Sequence, residues 1–327
     1  MTTMTPERVA RRGTAVLDRV GEVVVGHGGA LRLVLAVLLA GGNVLLEDLP
    51  GTGKTLVARS FAQALGLSFR RVQFTPDLLP ADVTGSSVYD AGTGRFDFRP
   101  GPVFTQLLLA DEINRTPPRT QAALLEAMQE RQVTVEGTTY ALDPPFHVIA
   151  TANPIEFEGT YPLPEAQLDR FLLRVGFGHL SAELEWEVLR RRVERQREDQ
   201  VVQPVTDAAE LLEMSAAVEQ VDVEASVGQY AVALTAATRT HPQVLVGAST
   251  RGALALLLTG RALAVLDGRG FVTPDDVKAV AVAALAHRLV MRPETYLQRV
   301  TADDVVRRLL TEVPVPATAA TPVFRRP

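Results

Sequence analysis

No cysteine occurs in the 327 residues, which excludes disulfides, thiolate catalysis and cysteine-ligated zinc, and fits a reducing compartment. The five histidines show no metal-ligand spacing, so no structural metal is expected. Long hydrophobic runs are missing as well. The longest, residues 31–40, is interrupted by Arg32 and is too short to span a bilayer. The first residues, Met1 to Arg8, lack the apolar stretch of a signal peptide. A surplus of positive charge is also absent. A net charge of −5 and a pI of about 5.7 supply no global basic field to recruit DNA or an anionic membrane. The expectation is a cytoplasmic protein that does not insert into membranes. What is present is 46% hydrophobic residues, enough for the core of one large or two modest domains.

The stretch Leu49-Pro50-Gly51-Thr52-Gly53-Lys54-Thr55 organises the chain. It follows the apolar run Val44-Leu45-Leu46 and precedes the helix-compatible Leu56-Val57-Ala58-Arg59. A strand feeding such a turn builds a phosphate cradle, because backbone N–H groups of the loop and helix start point at phosphate oxygens and the helix dipole adds positive potential. In that cradle Pro50, Gly51, Thr52 and Gly53 shape the loop, Lys54 reaches the β- and γ-phosphates of ATP, and Thr55 holds Mg²⁺. Asp48 stands where the pattern G-x-x-x-x-G-K-[ST] has its first glycine, and the departure is expected to matter little, since Gly51 and Gly53 still supply the flexible joints.

Around this loop the pattern reads as alternating strands and helices. A helix opens at Thr5-Pro6 and ends before Gly21, residues 23–27 form a short extended piece that turns at Gly26, and residues 30–40 form a buried helix. Strands are expected at 43–47, 68–74, 107–111, 147–151 and 171–175, with helices at 54–65 and 116–130. Two hairpins fall at about 85–99 and 132–142. Beyond Gly176 strand signals largely vanish, and helices are expected at 181–196, 207–218, 226–240, 250–266 and 273–289. The division is an α/β domain over 1–178, a helical domain over 179–312 and a disordered tail over 313–327.

Asp111 and Glu112 end an apolar strand, where ligands of open α/β sheets gather. Asp111 would join the Mg²⁺ shell, and Glu112 would orient and deprotonate the attacking water. The stretch Asp111-Glu112-Ile113-Asn114-Arg115, then Thr120 to Glu130, then Glu158-Gly159-Thr160-Tyr161-Pro162-Leu163-Pro164-Glu165-Ala166-Gln167-Leu168-Asp169-Arg170-Phe171, resembles the MoxR family of AAA+ ATPases.

The resemblance implies a P-loop AAA+ α/β fold with a five-stranded parallel sheet and a C-terminal all-helical lid, Mg²⁺ and ATP as cofactors, and a homo-oligomeric ring, a hexamer in this family. It implies Asn153 as the residue that senses γ-phosphate, Arg170 as an arginine finger completing the neighbour's site, and Arg251 as a second sensor coupling phosphate state to the angle between domains. Val25 and Gly26 would lie on adenine, and His27 would be a turn residue. Gln73 would hold Glu112 idle, and Ala152, where Gln is commoner, would be a mild change. The hairpins would line a pore or ring face, with Tyr89, Phe96 and Phe98 either gripping a partner or packing on the domain. The implied role is chaperone-like maturation of client proteins, often ones with von Willebrand factor A domains. A nucleotide-gated scaffold, a nucleic-acid motor and a small-molecule kinase fit the same loop. The acidic pI counts against a nucleic-acid partner.

Overall fold

The computed structural model describes residues 4–48, 51–153, 161, 163–196 and 201–316. The elements run α1 (Pro6–Gly21), α2 (Gly28–Leu39), β1 (Val44–Glu47), α3 (Lys54–Ala64), β2 (Phe69–Gln73), α4 (Pro80–Thr84), β3 (Gly85–Asp90), β4 (Arg95–Pro100), β5 (Leu107–Asp111), α5 (Pro118–Glu130), β6 (Gln132–Val135), β7 (Thr138–Ala141), β8 (His147–Ala152), α6 (Glu165–Leu168) and β9 (Leu173–Val175). They continue as α7 (Ala182–Arg195), α8 (Ala208–Glu219), α9 (Ala225–Thr240), β10 (Val244–Val246), α10 (Thr250–Leu266), α11 (Pro274–Leu285), β11 (Val290–Met291) and α12 (Ala302–Glu312).

Five strands form one parallel sheet in the order β2-β5-β8-β1-β9. Strands β5 and β8 are buried at every position because helices cover both faces, which is why Leu107-Leu108-Leu109-Ala110 reads as an unbroken apolar run. Successive side chains of β5 serve opposite cores. Leu107 and Leu109 join α1, α2 and α3 on one face, while Leu108 and Ala110 join Leu124, Leu125 and Met128 of α5 on the other. Helix α2 is apolar almost all round and is enclosed between the sheet, α1 and α10.

The two hairpins, β3–β4 and β6–β7, form as expected. Phe98 stacks on Tyr140 at 3.9 Å between ring centroids and touches Phe104, so the hairpins share an aromatic joint. Tyr89 and Phe96, a cross-strand pair nearer the tip of the first hairpin, are exposed.

Three expectations are corrected. The turn expected at Gly26 is present, with Gly26 (φ 72°) and His27 (φ 58°) in the left-handed region reversing the chain into α2, but the residues before it form turn and bend rather than an extended piece. A short antiparallel pair, β10–β11, exists where strand signals were read as vanishing. It takes its second strand from the end of the segment read as one helix over 273–289, since α11 stops at Leu285. The caps of this region follow the sequence: Thr273 and Thr301 each form a capping box, with Asp276 and Asp304. Of the tail read as disordered, residues 313–316 are described and 317–327 lie outside the described residues.

His147 is buried at the start of β8 with Nδ1 at 3.0 Å from the Gly42 carbonyl, and burial pushes its pKa from 6.5 down to about 4. At pH values above 6.5 the imidazole is neutral in both the folded and unfolded states. Below that value only the unfolded state takes the proton, so stability falls until the folded pKa is reached. Between neutral pH and about pH 5 this one group removes about 2 kcal/mol. Urea unfolding at the two pH values should show a larger loss for wild type than for His147→Gln. Equal losses would contradict a neutral buried imidazole.

Candidate nucleotide-binding site

The phosphate loop joins the C-terminal end of β1 to α3, at the sheet edge where ligands of such folds bind. Leu49 and Pro50 lie outside the described residues. Gly51 (φ 84°) and Gly53 (φ 81°) adopt left-handed backbone that a side chain would strain, and Gly53 caps α3. The half-buried Lys54 ammonium donates to the carbonyls of Asp48 at 2.6 Å and Ala152 at 3.4 Å. Burial lowers its pKa, while Asp48, Asp111 and Glu112 pull it back up. Thr52 sits in the loop ahead of it.

Asp111 and Glu112 stand opposite. Asp111 Oδ1 accepts from Thr151 Oγ1 at 2.6 Å, and Oδ2 lies 3.3 Å from Thr55 Oγ1. Oδ2 also accepts from Arg71 Nε at 3.0 Å and Nη2 at 2.7 Å. Glu112 turns the chain out of the strand at φ 57°, an orientation fixed by its N–H donating to Thr151 Oγ1 at 2.8 Å. Its Oε2 accepts from Gln73 Nε2 at 2.6 Å and from Arg115 Nη1 at 2.9 Å. The contact between Gln73 and Glu112 is therefore present. Thr55 and Asp111 offer hard oxygen donors side by side, which suits Mg²⁺, and the Lys54 ammonium beside them suits phosphate.

Asn153 is buried just past β8, next to the Ala152 carbonyl that Lys54 touches, and its own carbonyl accepts from Asn114 Nδ2 at 3.2 Å. On the β9 side, Val25, Gly26 and His27 form the turn before α2. The α-carbon of Gly26 faces Leu180 and Leu184 so closely that a Cβ would lie 2.8 Å from Leu180. The His27 ring meets the Phe177 ring edge-on at 5.3 Å. Asp48 Oδ2 accepts from the N–H groups of Phe177 and Gly178, both at 2.7 Å. The departure from the loop pattern therefore has a structural role that the sequence reading underrated.

Arg170 and Arg251 are not brought to Lys54. The Leu172 N–H donates to the Asn43 carbonyl, which places the 169–171 turn at the start of β1, whereas Lys54 follows its end. At about 3.3 Å per residue, the strand separates them by more than ~10 Å. Asp169 accepts from Arg288 Nε at 2.7 Å and from Ser249 Oγ at 2.9 Å. Ser249 caps α10, whose second residue is the exposed Arg251. Asp169 thus pairs not with the adjacent Arg170 but with the buried Arg288, which also donates to the Phe171 carbonyl at 2.7 Å and to that of Ala284. Among the described residues the Arg170 guanidinium has no ion-pair partner. Arg251 as a sensor within its own chain is not what this placement favours.

The reading of the sequence missed Arg71, Thr151, Arg115 and the Asp48 carboxylate. A signal existed for Arg71: it and Gln73 lie two apart on β2, hence on one side, and Gln73 is in register with Asp111. Thr151 and Asp48 had none, because their roles depend on partners 39 to 130 residues away.

Residues 43–173 match the ATPase family associated with various cellular activities (AAA), and residues 236–309 match the AAA lid domain. The chaperone MoxR1 of Mycobacterium tuberculosis is 40% identical, with 93% of this chain and 82% of that protein covered. YeaC of Bacillus subtilis is 46% identical over 93% of this chain and 94% of its own length. Among solved structures, a candidate ATPase from Cytophaga hutchinsonii superposes with a TM-score of 0.88 at 39% identity, covering 95% of this chain and 97% of that one. The fold and the loop thus define an AAA+ protein, and the chain belongs to the MoxR family of AAA+ ATPases.

Proposed function

We propose that the chain hydrolyses ATP with Mg²⁺ and does so as a homo-oligomeric ring, a hexamer in the form expected for the family. The observation that carries this reading is the division of groups between opposite edges of one sheet. Lys54, Thr55, Asp111, Glu112 and Asn153 gather at the C-terminal ends of the strands, while Arg170 and Arg251 stand at the other edge. Head-to-tail contacts, which close rings, would bring the arginine edge of one copy to the loop of the next.

In this reading a bound Mg²⁺ would supply positive charge against the phosphates. Gly51, Thr52, Gly53 and Lys54 hold the phosphates, and Thr55 and Asp111 hold the metal. Pro50 belongs to the same loop by sequence. Glu112 takes the proton of the attacking water once it leaves Gln73 and Arg115, and Asn153 orients that water. Val25 and Gly26 bear on the base. The neighbour's Arg170, with Arg251 beside it, stabilises charge in transfer. The division near residue 178 into a nucleotide-binding part and a helical lid ending near 312 follows the same reading, as does a cytoplasmic location. Among the described residues no helix is long and apolar enough to cross a membrane.

The work done with ATP is remodelling or maturation of a protein client. Support comes from the relative named a chaperone and from the exposed Tyr89–Phe96 pair at the hairpin. A client with a von Willebrand factor A domain rests on family resemblance. Steady-state ATPase rate measured against protein concentration tests the proposal. Mg²⁺-dependent specific activity should climb as the ring assembles. Negligible turnover at every concentration would instead favour a nucleotide-gated scaffold.

A further inference from the structure

The β9 side of the loop has a construction that the hydrolysis reading does not use. Asp48 is buried, and its carbonyl and carboxylate serve different neighbours. The carbonyl accepts from Lys54 Nζ at 2.6 Å, on the phosphate side. Carboxylate oxygen Oδ2 accepts two backbone N–H bonds at 2.7 Å, from Phe177 and Gly178, where the chain leaves β9 for α7. Short bonds to an ionised acceptor are the strong kind, and two on one oxygen fix a backbone segment firmly. The fixed segment carries the Phe177 ring, whose edge packs against His27, and leads to Leu180 and Leu184, against which Gly26 is pressed. The turn 25–27 is therefore held to the phosphate loop through Asp48 and Phe177, although these three parts of the chain are far apart in sequence.

The sheet order shows what this assembly faces. Groups suited to the terminal phosphates, Asp111, Glu112 and Asn153, come from β5 and β8 on one side of β1. The Asp48 assembly lies on the other side, with β9. A nucleotide whose terminal phosphates point toward β5 and β8 extends its nucleoside toward β9.

We propose that Asp48 is a positioning residue for the nucleoside: by clamping Phe177 and Gly178 it builds the wall on which the base rests, and it sets preference for a purine nucleotide over bare polyphosphate. This rests on the ATP reading above. A glycine at position 48, though closer to the general loop pattern, lacks the oxygen that both N–H groups need. An asparagine retains one carbonyl oxygen able to accept both, as Oδ2 does now.

The test is calorimetric titration of wild type, Asp48→Gly and Asp48→Asn with ATP and, separately, with inorganic tripolyphosphate. Asp48→Gly should weaken ATP by about 10- to 100-fold while changing tripolyphosphate by less than about threefold. Asp48→Asn should stay within about threefold of wild type for both, because the two acceptor bonds survive. Unchanged ATP affinity in Asp48→Gly would overturn the proposal, and so would an equal loss for both ligands, which would mark a general collapse of the loop. Should Asp48→Gly not fold, His27→Asn takes its place. Asparagine tolerates the left-handed backbone and removes only the ring contact, so it should lower ATP affinity about two- to fivefold and leave tripolyphosphate unchanged. If His27→Asn left ATP binding at the wild-type level, the wall would be refuted. A wild type that bound neither ligand would instead sink the ATP reading itself.

Discussion

Lys54→Ala is expected to weaken ATP binding by at least about 100-fold in calorimetry, without a large loss of fold stability. The ammonium is half-buried, and among the described residues it donates to the carbonyls of Asp48 and Ala152, so the charge is held ready at the loop rather than bound to a carboxylate. A charge-assisted bond to phosphate in such a site is about twice as strong as a neutral one, and its loss leaves phosphate charge uncompensated. Alanine is the best helix former and occupies the first position of α3, so the helix keeps its start. ATP affinity at the wild-type level would remove the phosphate-cradle assignment.

Arg170→Ala has the other large expected effect, and of a different kind. Turnover should fall on the order of 10³-fold, the lower end of the range for arginine fingers, while ATP affinity changes little. The structural cost should be small. The turn that carries Arg170 is held by its neighbours, through Asp169 to Arg288 and Ser249 and through the Leu172 N–H to Asn43. The side chain of Arg170 itself makes no ion pair among the described residues. Among the described residues no anion of its own chain meets this cation, and the proposed ring would give it the neighbouring copy's phosphates to face. Thermal unfolding close to wild type together with lost turnover would separate this role from a structural one.

The parts of this molecule that could be read from sequence are those whose signals are local. The glycines around Lys54, the apolar run ending at Asp111, and the Thr–x–x–Asp caps at 273 and 301 each declare themselves within a few residues. Gln73 against Glu112 was implied by the family resemblance, and the fold brings the two together with Gln73 in register with Asp111. What stayed hidden depends on contacts between distant segments. Asp48 reads as an imperfect loop until Phe177 and Gly178 are folded against it. Val23 to Val25 read as extended because valine favours extension, yet they enter a turn completed by the left-handed Gly26 and His27, with Gly26 packed against Leu180 and Leu184. The partner of Asp169, Arg288, lies 119 residues away and leaves no local signal.

The central claim, that each site is completed by another copy, is tested most directly by mixing two inactive variants. Glu112→Gln retains Arg170 but cannot activate water, and Arg170→Ala retains an intact water-activating site but offers no arginine. Each alone should show little ATPase activity. Mixed in equal amounts at a concentration where rings form, they should regain a substantial fraction of wild-type turnover, because some contacts then pair an intact Glu112 with a neighbour's Arg170. Activity in the mixture no greater than the sum of the separate variants, under conditions where mixed assemblies are shown to form, would contradict completion in trans.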